Sequence, residues 1–494
     1  MKKILLGLFC FCFLLAGCEK LQGAYSKAIE EADNYKLSFD YNHEQREVSL
    51  TEELLYKNDS NTELSELYFH LYPNAFAEGV KNKPVGVLNE SKAYPNGKSY
   101  GGIEISKVVV DGKDCEVKYH GEDNDFLKVE LLDSLKNNRK IKIEIEAMIK
   151  LPNINHRFGY GNNTINIANS YPIIAKINNG EWVLNGYHSN GDPFYSDISN
   201  YEVDLTAPTN LILATTGEVV KTQESNGEKI YKIKAEGVRD FAFVLSEDFK
   251  VVSKSVDGVN VNYYYFDDEN FEKNLETSVK SLSLFNELFG EYPYKVLNVV
   301  QANFVHGGME YPNLVYISDE VENELDYTNV IIHEIAHQWW YGVVGNNEYT
   351  EAWLDEGLTE YSVMLFYENN EDYGVDVKEL VKSSTNNYAL FVELYTKVLG
   401  EVNTSMNRSL NEFDTEPEYV YNVYIKGMLF FDNLREIIGD KDFFKGLKEY
   451  YAKNAFTNVT SQNLLMAFEK VSGKNLEGLF DSWINGKISI LSVE

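Results

Sequence analysis

The chain has 494 residues, enough for two or three domains that each bury a core. Lysine and arginine number 45 against 77 aspartates and glutamates, a formal charge of −32. That balance argues against a nucleic-acid binder, which needs positive surface to displace counterions from phosphates, and against docking on anionic lipid through a basic cluster. Hydrophobic residues at 44% and aromatics at 14% exclude a disordered chain.

The chain opens on Met1-Lys2-Lys3 and an apolar run from Ile4 to Ala16. A cationic start before a run too short for a comfortable membrane span reads as an export signal over residues 1–17. Its exit, Leu15-Ala16-Gly17-Cys18, resembles the lipobox of bacterial lipoproteins. The resemblance implies cleavage before Cys18, diacylation of its thiol, and a protein lipid-anchored in the bacterial cell envelope, facing outside the cytoplasm. Two acyl chains meet the requirement for stable anchoring to a lipid bilayer. Cys10 and Cys12 would leave with the signal, so Cys115 is expected as a free thiol without a disulfide. No later stretch reaches 18 consecutive apolar residues, as a spanning helix would need.

Residues 18–34 are polar and read as a tether, with Ala28-Ile29-Glu30-Glu31-Ala32 allowing part of it to be helical. From residue 35 to 250 the pattern is that of strands. Lys36-Leu37-Ser38-Phe39-Asp40-Tyr41 and Ile141-Lys142-Ile143-Glu144-Ile145-Glu146 alternate at period two, and clusters such as Asn58-Asp59-Ser60-Asn61 mark turns. An all-β, sandwich-like domain is expected there. From residue 251 to 494, helical spacing takes over: Leu275, Val279, Leu282, Phe285 and Leu288 recur at three and four, before Gly290 and Pro293. Further helices are expected over Val330–Tyr341, Glu351–Tyr367 and Met428–Ile438.

The strongest chemical signal is His333-Glu334-Ile335-Ala336-His337. On a helix, residues four apart share a face, so both imidazoles reach one Zn²⁺, with Glu334 beside the metal and placed to accept a proton from water. A catalytic zinc takes three protein ligands and keeps a position open. Glu356, in Trp353-Leu354-Asp355-Glu356-Gly357, follows His337 after 18 residues, and a second helix capped by Thr350 would turn it back toward the histidines.

These motifs, with Gly307-Gly308-Met309-Glu310, resemble the aminopeptidase N family of zinc metallopeptidases, which are gluzincins. The resemblance extends more loosely from about Tyr35 to the end. It implies a multidomain chain: an N-terminal all-β saddle domain, then a thermolysin-like α+β, mostly helical catalytic domain. It implies one catalytic zinc ion on His333, His337 and Glu356, with Glu334 as general base. It also implies that Gly307, Gly308 and Met309 lie along a peptide substrate whose free N-terminus is received by Glu310. Tyr424, in Tyr424-Ile425-Lys426-Gly427, matches the family's oxyanion donor, with Tyr421 its nearest competitor.

Two departures stand out. Tyr311 follows Glu310 where the family has asparagine, and no Gln-x-Glu motif supplies a second amine anchor, leaving Asp192 and Asp197 as substitutes. The chain also stops soon after Trp483-Ile484-Asn485-Gly486, so an open cleft is expected. The reading is a membrane-anchored zinc aminopeptidase, with a limited endopeptidase or an inactive surface-binding lipoprotein as alternatives. His306, adjoining the glycine pair, is read as structural with cleft lining as its alternative, His43, His70, His120, His156 and His188 as ordinary, and Glu360 as part of a solvated face or a positioning group one turn beyond Glu356. Trp339 and Trp340 are read as core.

Overall fold

Alternation along the chain becomes the covered face of a sheet. In Asp33–Asn42, Tyr35, Leu37, Phe39 and Tyr41 are buried and the residues between them face solvent. The computed structural model of the protein describes residues 21–488 and 490, so the stretch read as an export signal and Cys18 lie outside the described residues. Eight strands form the main sheet, in the order Glu218–Ser225, Glu228–Val238, Ser199–Pro208, Asp33–Asn42, Glu47–Lys57, Lys140–Lys150, Gly102–Val110 and Lys113–Cys115. Only Ser199–Pro208 and Asp33–Asn42 pair in parallel within it. Two four-stranded sheets meet its buried face. Phe39 packs edge-on against Phe243 of one, and Tyr35 accepts a hydrogen bond from the Ile174 amide of the other.

The polar stretch read as a tether is not free. Residues 21–31 are helical (α1) and packed, with Leu21 buried. Tyr25 lies against Tyr294 and Phe456 of the second domain, and its hydroxyl donates to the Glu236 carbonyl of the first. The apolar residues Leu21, Ala24, Tyr25 and Ala28 repeat at three and four and give this short segment a face to dock.

The second domain starts with a five-stranded sheet: Lys250–Val256, Val259–Tyr265, Val296–Ala302, Leu314–Ser318 and the edge strand Gly308–Met309. The three central strands run parallel and the edge strand antiparallel. Helices follow, among them α2 (Phe271–Leu288), α3 (Glu324–Ala336), α4 (Trp353–Asn369), α5 (Val377–Leu399) and α6 (Lys426–Ile438). Val279, Leu282 and Phe285 of α2 are buried, as their spacing predicts. An all-β N-terminal half and a mostly helical C-terminal half are thus the architecture. Among the described residues, no helix is long and apolar enough to cross a membrane.

Two helix starts differ from expectation. The Asn323 side chain accepts from the amides of Leu325 and Asp326, which starts α3 at Glu324, six residues before Val330. Thr350 caps nothing; Asn347 caps a short turn over Glu348–Glu351, and Ala352 leads directly into α4. Asn347 is as good a cap as threonine and comes first in the chain.

Arg239 joins the halves. Buried, it donates to the carbonyls of Ser196, Tyr341 and Thr457 and to Asn458 Oδ1, at 2.6–3.0 Å. Its guanidinium fork satisfies backbone acceptors of both domains at once, which fixes the seam where the cleft lies.

Candidate active site

Helix α3 presents His333 near its end, and His337 follows at its C-cap, one turn on. Glu356 comes from the first turn of α4, which packs against α3. His333 Nε2, His337 Nε2 and Glu356 Oε2 lie 3.1 Å from one another. Ligands about 2.0 Å from a tetrahedral zinc would be separated by about 3.3 Å, so the triangle matches such an ion.

The groups behind the triangle orient it. His333 Nδ1 is 3.0 Å from Glu360 Oε2, and His337 Nδ1 is 3.0 Å from the Trp340 carbonyl. Each partner accepts a hydrogen bond, so Nδ1 carries the proton and Nε2 turns a lone pair inward. Burial opposes charging His337, yet Glu310 and Glu356 outweigh it and push it up to about 10. Burial likewise opposes the Glu356 anion, but the two histidines hold its pKa well below the usual range. The pocket therefore favours positive charge at the triangle, and its donor set fits a divalent cation. Glu360 is thus a positioning group: it sits one turn beyond Glu356 and touches His333.

Glu334 is buried beside the triangle, and burial raises its pKa to about 7 against the pull of His333 and His337. Its Oε2 has no hydrogen-bond partner. Gly308 permits this approach, because a Cβ there would lie 2.3 Å from Glu334 Oε1. Gly307 lies beside it on the cavity wall. Met309 does not face the cavity. It is buried and paired with Tyr316, as alternation along an edge strand requires.

Tyr424 donates to Glu356 Oε1 at 2.5 Å and lies parallel to the His333 ring. It belongs to a π-helical turn, Tyr421–Ile425, that leads into α6. A Cβ on Gly427 would meet the Gly357 Cα at 2.7 Å, so two glycines let α6 and α4 touch backbone to backbone and bring the phenol onto Glu356. Tyr421 instead stacks on Phe391. Trp339 and Trp340 are buried in the core.

Glu310 is buried, and its Oε1 has no partner. Burial raises its pKa well above the carboxylate range, and Asp192, Glu334 and Glu356 add to this against His337. Asp192, Glu310 and Glu356 offer oxygens within 4.8 Å of one another. Asp192 is held by an ion pair with Arg157, while Asp197 pairs with Lys176 and Asn458 outside the cavity.

All of this surrounds one cavity of about 440 Å³. Asn89 of the β domain donates to Glu416 of the catalytic domain at 3.2 Å, and both residues line that cavity. The cleft expected to be open is therefore bridged at that point. His306 lines it, the alternative reading of that residue, and so do His156 and Arg157, which carry no role from the sequence.

A His-Glu-x-x-His helix end completed by a glutamate from the next helix, beside a sheet edge, is a three-ligand arrangement suited to a catalytic zinc. Residues 273–483 match the Peptidase family M1 domain. The chain is similar to "Aminopeptidase N" of Lactococcus lactis subsp. lactis (strain IL1403), with 25% identity over 273 residues. That match covers 49% of this chain and 30% of the lactococcal one. It is also similar to "Aminopeptidase B" of Mus musculus, with 29% identity over 224 residues, 41% of this chain and 33% of the murine protein. Each match thus spans a third or less of its relative's length. The fold is that of an M1 zinc metallopeptidase from Deinococcus radiodurans, with a TM-score of 0.66 at 16% identity, covering 94% of this chain and 96% of that one.

Proposed function

We propose that the protein is a lipid-anchored zinc aminopeptidase. The observation that carries this reading is the pairing of a preoriented metal triangle with two carboxylates, Glu310 and Asp192, facing the same cavity. A zinc ion on His333, His337 and Glu356 supplies Lewis acidity at a scissile carbonyl and lowers the pKa of water. Glu334 takes a proton from the attacking water and gives it to the leaving amine. Glu310 and Asp192 receive the substrate ammonium and so fix cleavage at the first bond. Gly307 and Gly308 let the substrate backbone lie close to the edge strand. The relatives named aminopeptidases support this assignment.

Tyr424 stays a neutral donor, because burial and then Glu356 hold its pKa well above the phenol range. In the reaction its hydroxyl turns from Glu356 to the developing oxyanion. Tyr424→Phe is expected to lower kcat about 100- to 1000-fold with zinc content unchanged. Steady-state kinetics beside metal analysis checks this, and an unaltered kcat would return Tyr424 to packing. Glu360→Gln is expected to weaken zinc binding about 10- to 100-fold by loosening His333, measured by competition with a chromophoric chelator.

Aminoacyl-arylamides and N-blocked peptides, each with and without chelator, test the activity. Chelator-sensitive cleavage of the unblocked substrates alone is expected. Cleavage of blocked peptides alone would make the protein an endopeptidase, and no cleavage of either would leave a binding lipoprotein. For the anchor, the support is Leu15-Ala16-Gly17-Cys18. Labelled palmitate should enter the wild type and not Cys18→Ala; label in both would overturn it.

A further inference from the structure

The cavity is lined by two kinds of polar group. Its lining includes the acids Glu310, Asp192, Glu334 and Glu356 and, joined to them through the Arg157–Asp192 ion pair, the donors Arg157, His156, His306 and Tyr187. His156, Arg157 and Tyr187 are 1%, 6% and 4% exposed. Arg157 Nε and the Tyr187 hydroxyl lack hydrogen-bond partners, and His156 has at most the Pro84 carbonyl, which leaves a ring nitrogen unpaired. Buried polar groups are nearly always paired, so a cluster of orphans on a cavity wall marks where a ligand supplies the partners. Arg157 can only donate, and the imidazoles and the phenol can each donate to a ligand oxygen. The His156 and His306 rings meet edge to face at 5.4 Å, and both sense the Arg157 charge. Burial holds His306 at about 4 and His156 well below the ordinary value, so both are neutral N–H carriers near neutral pH.

The aromatic surroundings give the donor group its shape. Phe76 and Phe304 pack edge-on against His156, so the imidazole is held rigidly at the wall. His306 immediately precedes Gly307 and is half-buried on the same wall. Arg157 ties the two groups together, since the Asp192 carboxylate that it binds also faces the ammonium position.

We infer that this donor-rich wall, formed by Arg157, His156, His306 and Tyr187, is a specificity subsite for a carboxylate or carboxamide oxygen of a substrate whose ammonium sits on Glu310 and Asp192. The inference rests on the aminopeptidase reading and names its substrate class. That oxygen has two sources: the side chain of the first residue, as in glutamate or glutamine, or the C-terminal carboxylate of a dipeptide. A leucyl side chain would leave Arg157 Nε and the Tyr187 hydroxyl unpaired, which a site built for hydrogen bonding penalises.

The test compares kcat/KM for glutamyl-, glutaminyl- and leucyl-arylamides, and for Leu-Ala beside its C-terminal amide. The enzymes are wild type, His306→Leu and His156→Phe. Calorimetry of L-glutamate, L-glutamine and L-leucine binding gives a readout independent of turnover. A preference of about tenfold or more for the glutamyl or glutaminyl substrate is expected, mirrored in binding and lost in either variant. The same preference for Leu-Ala over its amide, lost in the same variants, would assign the donors to the substrate C-terminus. Equal or better use of leucyl substrates together with indifference to the dipeptide carboxylate would overturn the proposal, as would a preference that survives both substitutions. Binding preference without any turnover would sink the peptidase reading and leave the subsite standing.

Discussion

Replacing Glu334 by glutamine is expected to lower kcat about 10²- to 10⁴-fold while zinc stays bound. Glutamine keeps the size and one hydrogen-bonding oxygen but cannot carry a proton between water and the leaving amine. Glu334 is not part of the ligand triangle, whose three atoms come from His333, His337 and Glu356. Metal content should therefore match the wild type, and loss of zinc together with activity would show that Glu334 is a ligand.

The same residue sets a pH dependence. Burial raises its pKa from an ordinary 4.5 to about 7 against the pull of His333 and His337, and a bound divalent cation would lower it from there. Only the deprotonated form accepts a proton, so kcat/KM should fall as pH drops through a value between those limits, about tenfold per pH unit. The acid limb should vanish in Glu334→Gln. A limb that persists there would belong to another group.

The second large effect is selective. Glu310→Gln is expected to lower kcat/KM on substrates with a free amine by about 30- to several-thousand-fold, the loss of a buried charge partner worth about 2–5 kcal/mol. Any residual cleavage of N-blocked peptides should change by less than about threefold, because those substrates bring no ammonium to the site. Asp192→Asn should cost less than Glu310→Gln, since Arg157 already shares the Asp192 charge. Equal losses on blocked and free substrates would show that Glu310 acts on the fold and not on the amine.

Local signals made much of this site legible in the sequence. Four-residue spacing was enough to bring His333 and His337 to one point, and alternation was enough to bury Tyr35, Leu37, Phe39 and Tyr41. Glu356, Glu310 and Tyr424 depended on motif context, because nothing in their spacing measures a distance across space. Glu360 was readable in principle: once Glu356 faces α3, the residue one turn later on α4 faces it too. Its charge favoured the solvated reading, which the hydrogen bond to His333 removes.

Asp192 and Asp197 were inseparable in the sequence, lying five positions apart in a stretch with no period. Tertiary partners divide them, Arg157 for one and Lys176 for the other. His156 and Arg157 gave no signal, since they reach the cavity only through the seam that Arg239 fixes. The order of the eight strands was equally hidden. Pairing Ser199–Pro208 with Asp33–Asn42 joins residues far apart in the chain, and no local pattern encodes such a partner.

The π-helical turn over Tyr421–Ile425 has a consequence for sequence change in this region. Such a turn holds one residue more than ordinary winding, and each α-helical residue rotates the chain by about 100°. Removing a single residue there would restore regular winding and swing Tyr419 and the segment before it around the axis relative to Tyr424. Both tyrosines line the cavity, Tyr419 just before that turn and Tyr424 within it. Substitutions at its outward-facing positions are compatible with the site, whereas insertions and deletions are not, so length at this point is under tighter constraint than identity.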